Sequence, residues 1–111
     1  MIGDIHWVEL PDAGGREQMG RRPAILMQDD AQTQSLPTTI VIPLSSARAA
    51  LRFPGTASVA ASPDSGLRTD SVALVFQIRA IDRNRVKSAL GSITKQELAE
   101  IKLELAKLLG L

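Results

Sequence analysis

Helical periodicity appears in one place along this chain, at its C-terminal end, and that confines what the rest can be. Thr94-Lys95-Gln96-Glu97 reads as a capping box, in which the Thr side chain serves an orphan helix N–H and Glu97 reaches back to the cap's own N–H. Beyond it Leu98, Ile101, Leu105, Leu108 and Leu109 fall on one helical face. Lys95, Glu100, Lys102, Glu104 and Lys107 largely fall on the other, and Gly110 stands where a helix stop belongs. Everything upstream is short, β-rich and punctuated by Gly, Pro and Ser. Strands followed by one helix describe a small α+β domain, mostly β and barrel-like, with the helix packed across it. A length of 111 residues, with 44% apolar and 23% charged, suits a single domain over residues 1–111 with a modest core.

Gly3 to Leu10 reads as the first strand, with an imperfect alternation that implies cover on both faces for part of its length. A glycine-rich, charged loop over 11–21 leads to a second strand at 24–28, with Pro23 expected at its first position, where a missing N–H costs least. Asp29 to Pro37 is polar and loop-like. Thr38 to Leu44 is the clearest strand, and Pro43 marks an edge or a bulge near its end. Ser45 to Gly55 reads as a longer loop in which Ala47 to Leu51 has room for one helical turn. Ala57 to Ala61 reads as a short strand, Ser62 to Gly66 as a turn, and Ser71 to Ile81 as one long β segment or two abutting strands. Asp82 to Arg85 is a turn or short helical piece, and Lys87 to Leu90 a last short strand.

Composition removes several chemistries. There is no cysteine, so disulfides and thiolate chemistry are excluded, and the one histidine, His6, excludes a His-pair zinc site within one chain. One Trp, two Phe and no Tyr argue against a recognition surface of many stacked rings. No apolar run approaches the roughly 18 residues of a spanning helix, and the first strand starts too early for a signal peptide. A soluble, cytoplasmic chain without membrane contact is expected. The net charge of +1 does not announce nucleic acid, although residues 14 to 56 carry Arg16, Arg21, Arg22, Arg48 and Arg52 against Glu17, Asp29 and Asp30. Pro23 biases Arg22 towards extended geometry beside the loop. Arg22 then admits two readings: an anion grip on the rim of a rigid strand, or an arginine that ends a strand in solvent.

The order of segments adds to this. Gly3-Asp4-Ile5 with Trp7, then Gly15-x-Glu17-Gln18-x-Gly20-x-Arg22-Pro23-Ala24, resembles the opening of the MazF/PemK/Kid toxins of bacterial toxin–antitoxin systems. Pro37-Thr38 with Ile40-Val41, Asp70-Ser71-Val72, Gln77-Ile78-Arg79-Ala80-Ile81-Asp82 and the terminal Leu-Gly-Leu continue the likeness over essentially the whole chain. The resemblance implies an SH3-like barrel of the CcdB/PemK type with a C-terminal amphipathic helix. It implies a sequence-specific, ribosome-independent endoribonuclease that acts as a homodimer on single-stranded RNA. A cognate antitoxin is expected to lay its flexible C-terminal segment in the RNA groove. A gyrase-binding toxin of the CcdB type, without enzymatic activity, and a degenerate copy that only binds antitoxin are the alternatives.

Under that resemblance no metal or cofactor is expected, because RNA carries its own nucleophile in the 2′-hydroxyl. The protein needs to align that oxygen, move protons and stabilise extra negative charge, yielding a 2′,3′-cyclic phosphate and a 5′-hydroxyl end. Arg22 aligns with the arginine held to be catalytic, where its fork can bind two phosphoryl oxygens. Ser45 stands where many relatives have a catalytic Thr; a turn serine is the plainer reading. Glu17 is the candidate proton acceptor or the group that orients Arg22, set against a solvated loop carboxylate. Arg16, Arg21, Arg48 and Arg52 are candidate RNA contacts, with Arg16 where one branch has a functional His. Gln77 reads a base edge or holds the loop, and Arg79 is an RNA contact or a strand residue near the groove. Phe76 departs from the family, whose members often carry an acid there. His6 is expected to be packed or at an interface, and Trp7 to sit in the barrel core.

Overall fold

The computed structural model describes residues 1–12 and 14–111; Ala13, within the loop expected over 11–21, lies outside the described residues. Seven antiparallel strands are β1 (Asp4–Leu10), β2 (Gly20–Leu26), β3 (Thr38–Ser45), β4 (Thr56–Val59), β5 (Ser71–Leu74), β6 (Arg79–Asp82) and β7 (Val86–Ser92). Two helices, the single turn α1 (Asp30–Thr33) and the long α2 (Lys95–Leu109), accompany them. The strand order is β4-β5-β3-β2-β1-β7, with β6 also paired to β3. No described helix is long and apolar enough to cross a membrane.

The second strand starts earlier than its apolar residues imply. β2 pairs with β1 from Gly20 onward, Glu9 opposite Arg21 and Val8 opposite Arg22, so Pro23 lies inside the strand rather than at its head. β3 pairs only with Ala24–Leu26, which leaves Pro23 one residue beyond that ladder. The proline is tolerated where the β3 edge of β2 has run out of partner. Residues 20–22 are exposed while Ala24 and Ile25 are buried, which is why apolar pattern alone places the start at 24.

Pro43 likewise marks a change of partner rather than an edge. β3 pairs with β6 along Thr38–Val41 and with β5 along Leu44–Ser45, and Pro43 falls between the two registers. β3 is therefore shared by both halves of the sheet. The long β segment expected over 71–81 is two strands separated by a 3-10 turn at Val75–Gln77, and β7 extends further than Lys87–Leu90.

Two apolar clusters lie on opposite faces. One gathers Ile5, Ile25, Ile42, Leu44, Val59 and Val75 with Ile101 of α2; the other gathers Val8, Leu10, Ala24, Val41 and Ile81. β1 serves both because its register with β7 shifts between Ile5 and His6 and again between His6 and Val8, which accounts for the broken alternation. The capping box on α2 is formed, and Gly110 takes the left-handed conformation at φ 71°. Only part of its apolar stripe is covered: Ile101 is buried, whereas Leu108 and Leu109 project into solvent past the sheet.

The outer strands β4 and β7 are joined through the loop between β4 and β5. Ser92 N–H donates to the Asp64 carbonyl at 2.9 Å. Ser62 and Ser65 exchange backbone-to-hydroxyl bonds at 3.0 Å each, and Asp70 accepts from Ala61 N–H at 2.9 Å. Gly91 lets this loop seat on β7, since a Cβ there would overlap the Asp64 oxygen and the Ser65 backbone.

Gly91→Ala should therefore destabilise the fold by about 1–3 kcal/mol, the range for overpacking against immobile atoms. Thr94→Ala should cost about 1 kcal/mol by removing the α2 cap. Urea unfolding measures both; an unchanged midpoint in Gly91→Ala would mean the loop does not seat on β7.

Candidate active site

β2 carries Arg22 to the mouth of an open cleft of about 560 Å³. The cleft is bounded by Trp7 and Pro23 on one side, Ser46 at the exit of β3, and Gly66–Thr69 of the seated loop; Leu44, Leu67 and Leu90 contribute apolar floor. Arg22 is exposed. Its Nε donates to the Met19 carbonyl at 3.3 Å, which steadies the stem, while both terminal nitrogens make no hydrogen bond among the described residues. None of the ion pairs among the described residues involves it. A guanidinium with its fork uncommitted, held by its stem, is ready to take two oxygens of an anion.

Trp7 is not barrel core. It is half-buried and lines the cleft, and the Arg21 guanidinium lies 4.9 Å from its ring centroid. Alternation along β1 sends its neighbour the other way: His6 lines a separate cleft of about 320 Å³ with Asp30, Thr33, Arg83 and Lys87. There His6 Nδ1 donates to the Lys87 carbonyl at 2.9 Å, so His6 takes no part in the Arg22 cleft.

Ser45 ends β3, and its Oγ accepts from Ala47 N–H at 3.1 Å, opening the 3-10 turn Arg48–Arg52. That bond occupies a lone pair and leaves the hydroxyl proton free to donate. The cleft wall at this strand end is Ser46. Arg48 and Arg52 are exposed on the 3-10 turn, outside the cleft. Arg52 lies 4.9 Å from the Phe53 ring centroid, and Phe53 packs against Phe76 with centroids 5.9 Å apart. Phe76 thus belongs to an exposed aromatic pair.

Gln77 and Arg79 hold the loop before β2. Gln77 Oε1 accepts from Gln18 N–H at 2.8 Å, and Arg79 Nη2 donates to the Gln18 carbonyl, so both backbone polar groups of one residue are held. Arg79 is partly buried, and burial pushes its guanidinium below the ordinary arginine value while the charge of Glu17 opposes the shift. Glu17 therefore acts on Arg79, and Arg16 stands exposed beside it. Among the described residues no three potential metal ligands cluster. Arg22, Trp7, Pro23 and Ser46 are thus brought together, whereas Gln77 and Arg79 hold the Gln18 backbone of the loop before β2. Arg68 and Thr69 escaped the sequence reading; an Arg-Thr pair just after a turn glycine was the only signal.

Gln77→Ala removes one bond of about 1 kcal/mol. Hydrogen exchange at the Gln18 amide should quicken by about fivefold, with the β1–β2 ladder amides unchanged. Unaltered exchange at Gln18 would show that the loop is held by something else.

Comparison with known proteins accords with this geometry. A family model described as the PemK-like, MazF-like toxin of type II toxin–antitoxin systems matches residues 2–109. The chain is 31% identical over 109 residues to the endoribonuclease MazF of Staphylococcus saprophyticus, covering 98% of this chain and 90% of that protein. The crystal structure of MazF from Deinococcus radiodurans superposes with a TM-score of 0.83 at 27% identity, covering 99% and 96% of the two chains. A MazE–MazF complex from the same organism gives 0.77 at 27% identity, with 99% and 95% covered. An SH3-like barrel of this type, an uncommitted arginine on β2 and a family match along nearly its full length make the chain a member of the PemK-like, MazF-like toxin family of type II toxin–antitoxin systems.

Proposed function

We propose that this toxin is an endoribonuclease that cuts single-stranded RNA through the RNA's own 2′-hydroxyl. The observation that carries the reading is the uncommitted fork of Arg22 at a cleft whose lining includes arginines and hydroxyls but no carboxylate. Such a wall attracts a phosphodiester and repels nothing in it. As the 2′-oxygen attacks, the phosphoryl oxygens gain charge, and a preorganised guanidinium stabilises that charge by about 2.7–4 kcal/mol. Ser45, with its hydroxyl proton free, and Ser46, on the wall, are the further donors within the same strand end. Glu17 is the carboxylate of the adjacent loop and the candidate proton acceptor. Arg16 and Arg21, beside Arg22 in the loop and strand, and Arg48 and Arg52, on the turn after β3, would extend the cationic track along the backbone. Metal ions have no assigned step.

The family, the named endoribonuclease relatives and the MazE–MazF complexes of a homologue support a partner of the antitoxin kind. An antitoxin segment bearing carboxylates would suit the same arginine-rich wall, and a homodimer would cover the exposed apolar residues of the barrel. Gyrase binding draws no support from these matches, which are of the MazF type.

The purified protein should cleave a long, varied RNA in EDTA, leaving 2′,3′-cyclic phosphate and 5′-hydroxyl ends. Arg22→Ala should lower kcat by roughly 10²–10³ while the fold's unfolding midpoint holds. No cleavage by the wild type, or full activity in Arg22→Ala, would refute the reading. Trapping of gyrase on DNA without RNA cleavage would put the CcdB-type alternative in its place.

A further inference from the structure

The cleft beside Arg22 holds a second arginine, and nothing so far gives it a task. We propose that Arg68 grips a second phosphate of the RNA, so that the cleft seats one nucleotide between Arg22 and Arg68. The inference rests on the endoribonuclease reading above and assigns the substrate a further binding residue at the same site.

Arg68 is exposed and makes no hydrogen bond, ion pair or ring contact among the described residues. It does not hang on a loose segment. The loop that carries it is pinned by the Ser62–Ser65 exchange, by Asp70 to Ala61 N–H and by Asp64 to Ser92 N–H. Glycines at 66 and 91 bring that loop against β7, and Leu67 turns inward to join the main core cluster. Arg68 is therefore placed on the cleft wall by its rigid neighbours, as Arg22 is by β2.

Two arginines line one cleft, and no carboxylate stands among its described lining residues, which favours an anion there. Each fork matches the geometry of a phosphate, and a polynucleotide is the ligand that offers phosphates at a regular spacing with something apolar between them. The cleft supplies the matching middle: Trp7 and the leucine floor present apolar and aromatic surface, and Ser46 and Thr69 present hydroxyls. Its volume of about 560 Å³ lies within the range of pockets that hold a small ligand. An unpaired base has both faces and its polar edge available for such a surface, whereas a paired one does not.

The test uses the full chain and a fluorescein-labelled, mixed-sequence RNA 2′-O-methylated at every position, which cannot be cut because its attacking hydroxyls are blocked. Binding is followed by anisotropy across a salt series for the wild type, Arg68→Ala, Arg68→Lys and Lys102→Ala on the solvent side of α2. Each phosphate contact on single-stranded nucleic acid contributes about 0.7 to the slope of log affinity against log salt. Arg68→Ala should lose about that much slope and bind several-fold more weakly near 0.1 M salt. Arg68→Lys should keep the slope, because it keeps the charge, and Lys102→Ala should match the wild type. On cleavable RNA, Arg68→Ala should raise KM with little change in kcat, the signature of a contact made equally in ground and transition states. Wild-type slope, affinity and KM in Arg68→Ala, with RNA still cleaved by the wild type, would overturn this inference and leave the endoribonuclease reading intact. A wild type that neither binds nor cleaves RNA would overturn both.

Discussion

The β3 strand is the constraint on which the other elements depend. It is buried along most of its length, with Ile42 and Leu44 in one core cluster and Val41 in the other. It pairs with β2 on one edge and with β6 and then β5 on the other, so among the described strands it is the one common to both parts of the sheet. Pro43 makes the handover possible, since a residue without an N–H loses little where one partner has ended and the next has not begun. Removing β3 would leave β1, β2 and β7 joined to β4 and β5 chiefly through the β4–β5 loop seated on β7 and the core cluster shared with α2.

The site follows from that arrangement. β2 outlasts its pairing with β3, so its first residues leave the core and carry Arg21 and Arg22 into solvent. β3 ends at Ser45, which turns the chain and leaves Ser46 on the cleft wall. The loop after β4 seats on β7 and brings in the opposite wall. From β6 and the turn before it, Arg79 and Gln77 reach through to Gln18 and fix the loop that precedes β2. Every wall is thus set by a strand end or by backbone bonding, so the backbone of the cleft needs little reordering when it takes a ligand.

Much of this was legible from residues in order. The capping box and the glycine stop defined α2 because their signals are local, within a few residues of the element they end. Leu108 and Leu109 satisfied the same periodicity yet are exposed, since a helical stripe does not reveal how far its partner extends. The start of β2 was misplaced because Arg21 and Arg22 form ladder pairs without being buried, and apolar pattern registers burial, not pairing. Trp7 is expected in the barrel core, but its position opposite Pro23, outside the β3 ladder, leaves it beside an open cleft. Arg68 was invisible for a different reason: its role depends on which strand its loop lands upon. Gln18 bonded to Gln77 and Arg79 is a contact across about sixty positions that no spacing rule encodes.

The central claim is that RNA enters the cleft between Arg22 and the seated loop. Trp7 is the only tryptophan in the chain and it lines that cleft, so its emission reports on that place alone. Titration with an unlabelled, 2′-O-methylated RNA should change Trp7 fluorescence in a saturable way, with the same affinity that anisotropy of a labelled copy gives. RNA binding that is evident by anisotropy while the emission of Trp7 stays constant would place the RNA elsewhere and contradict the account.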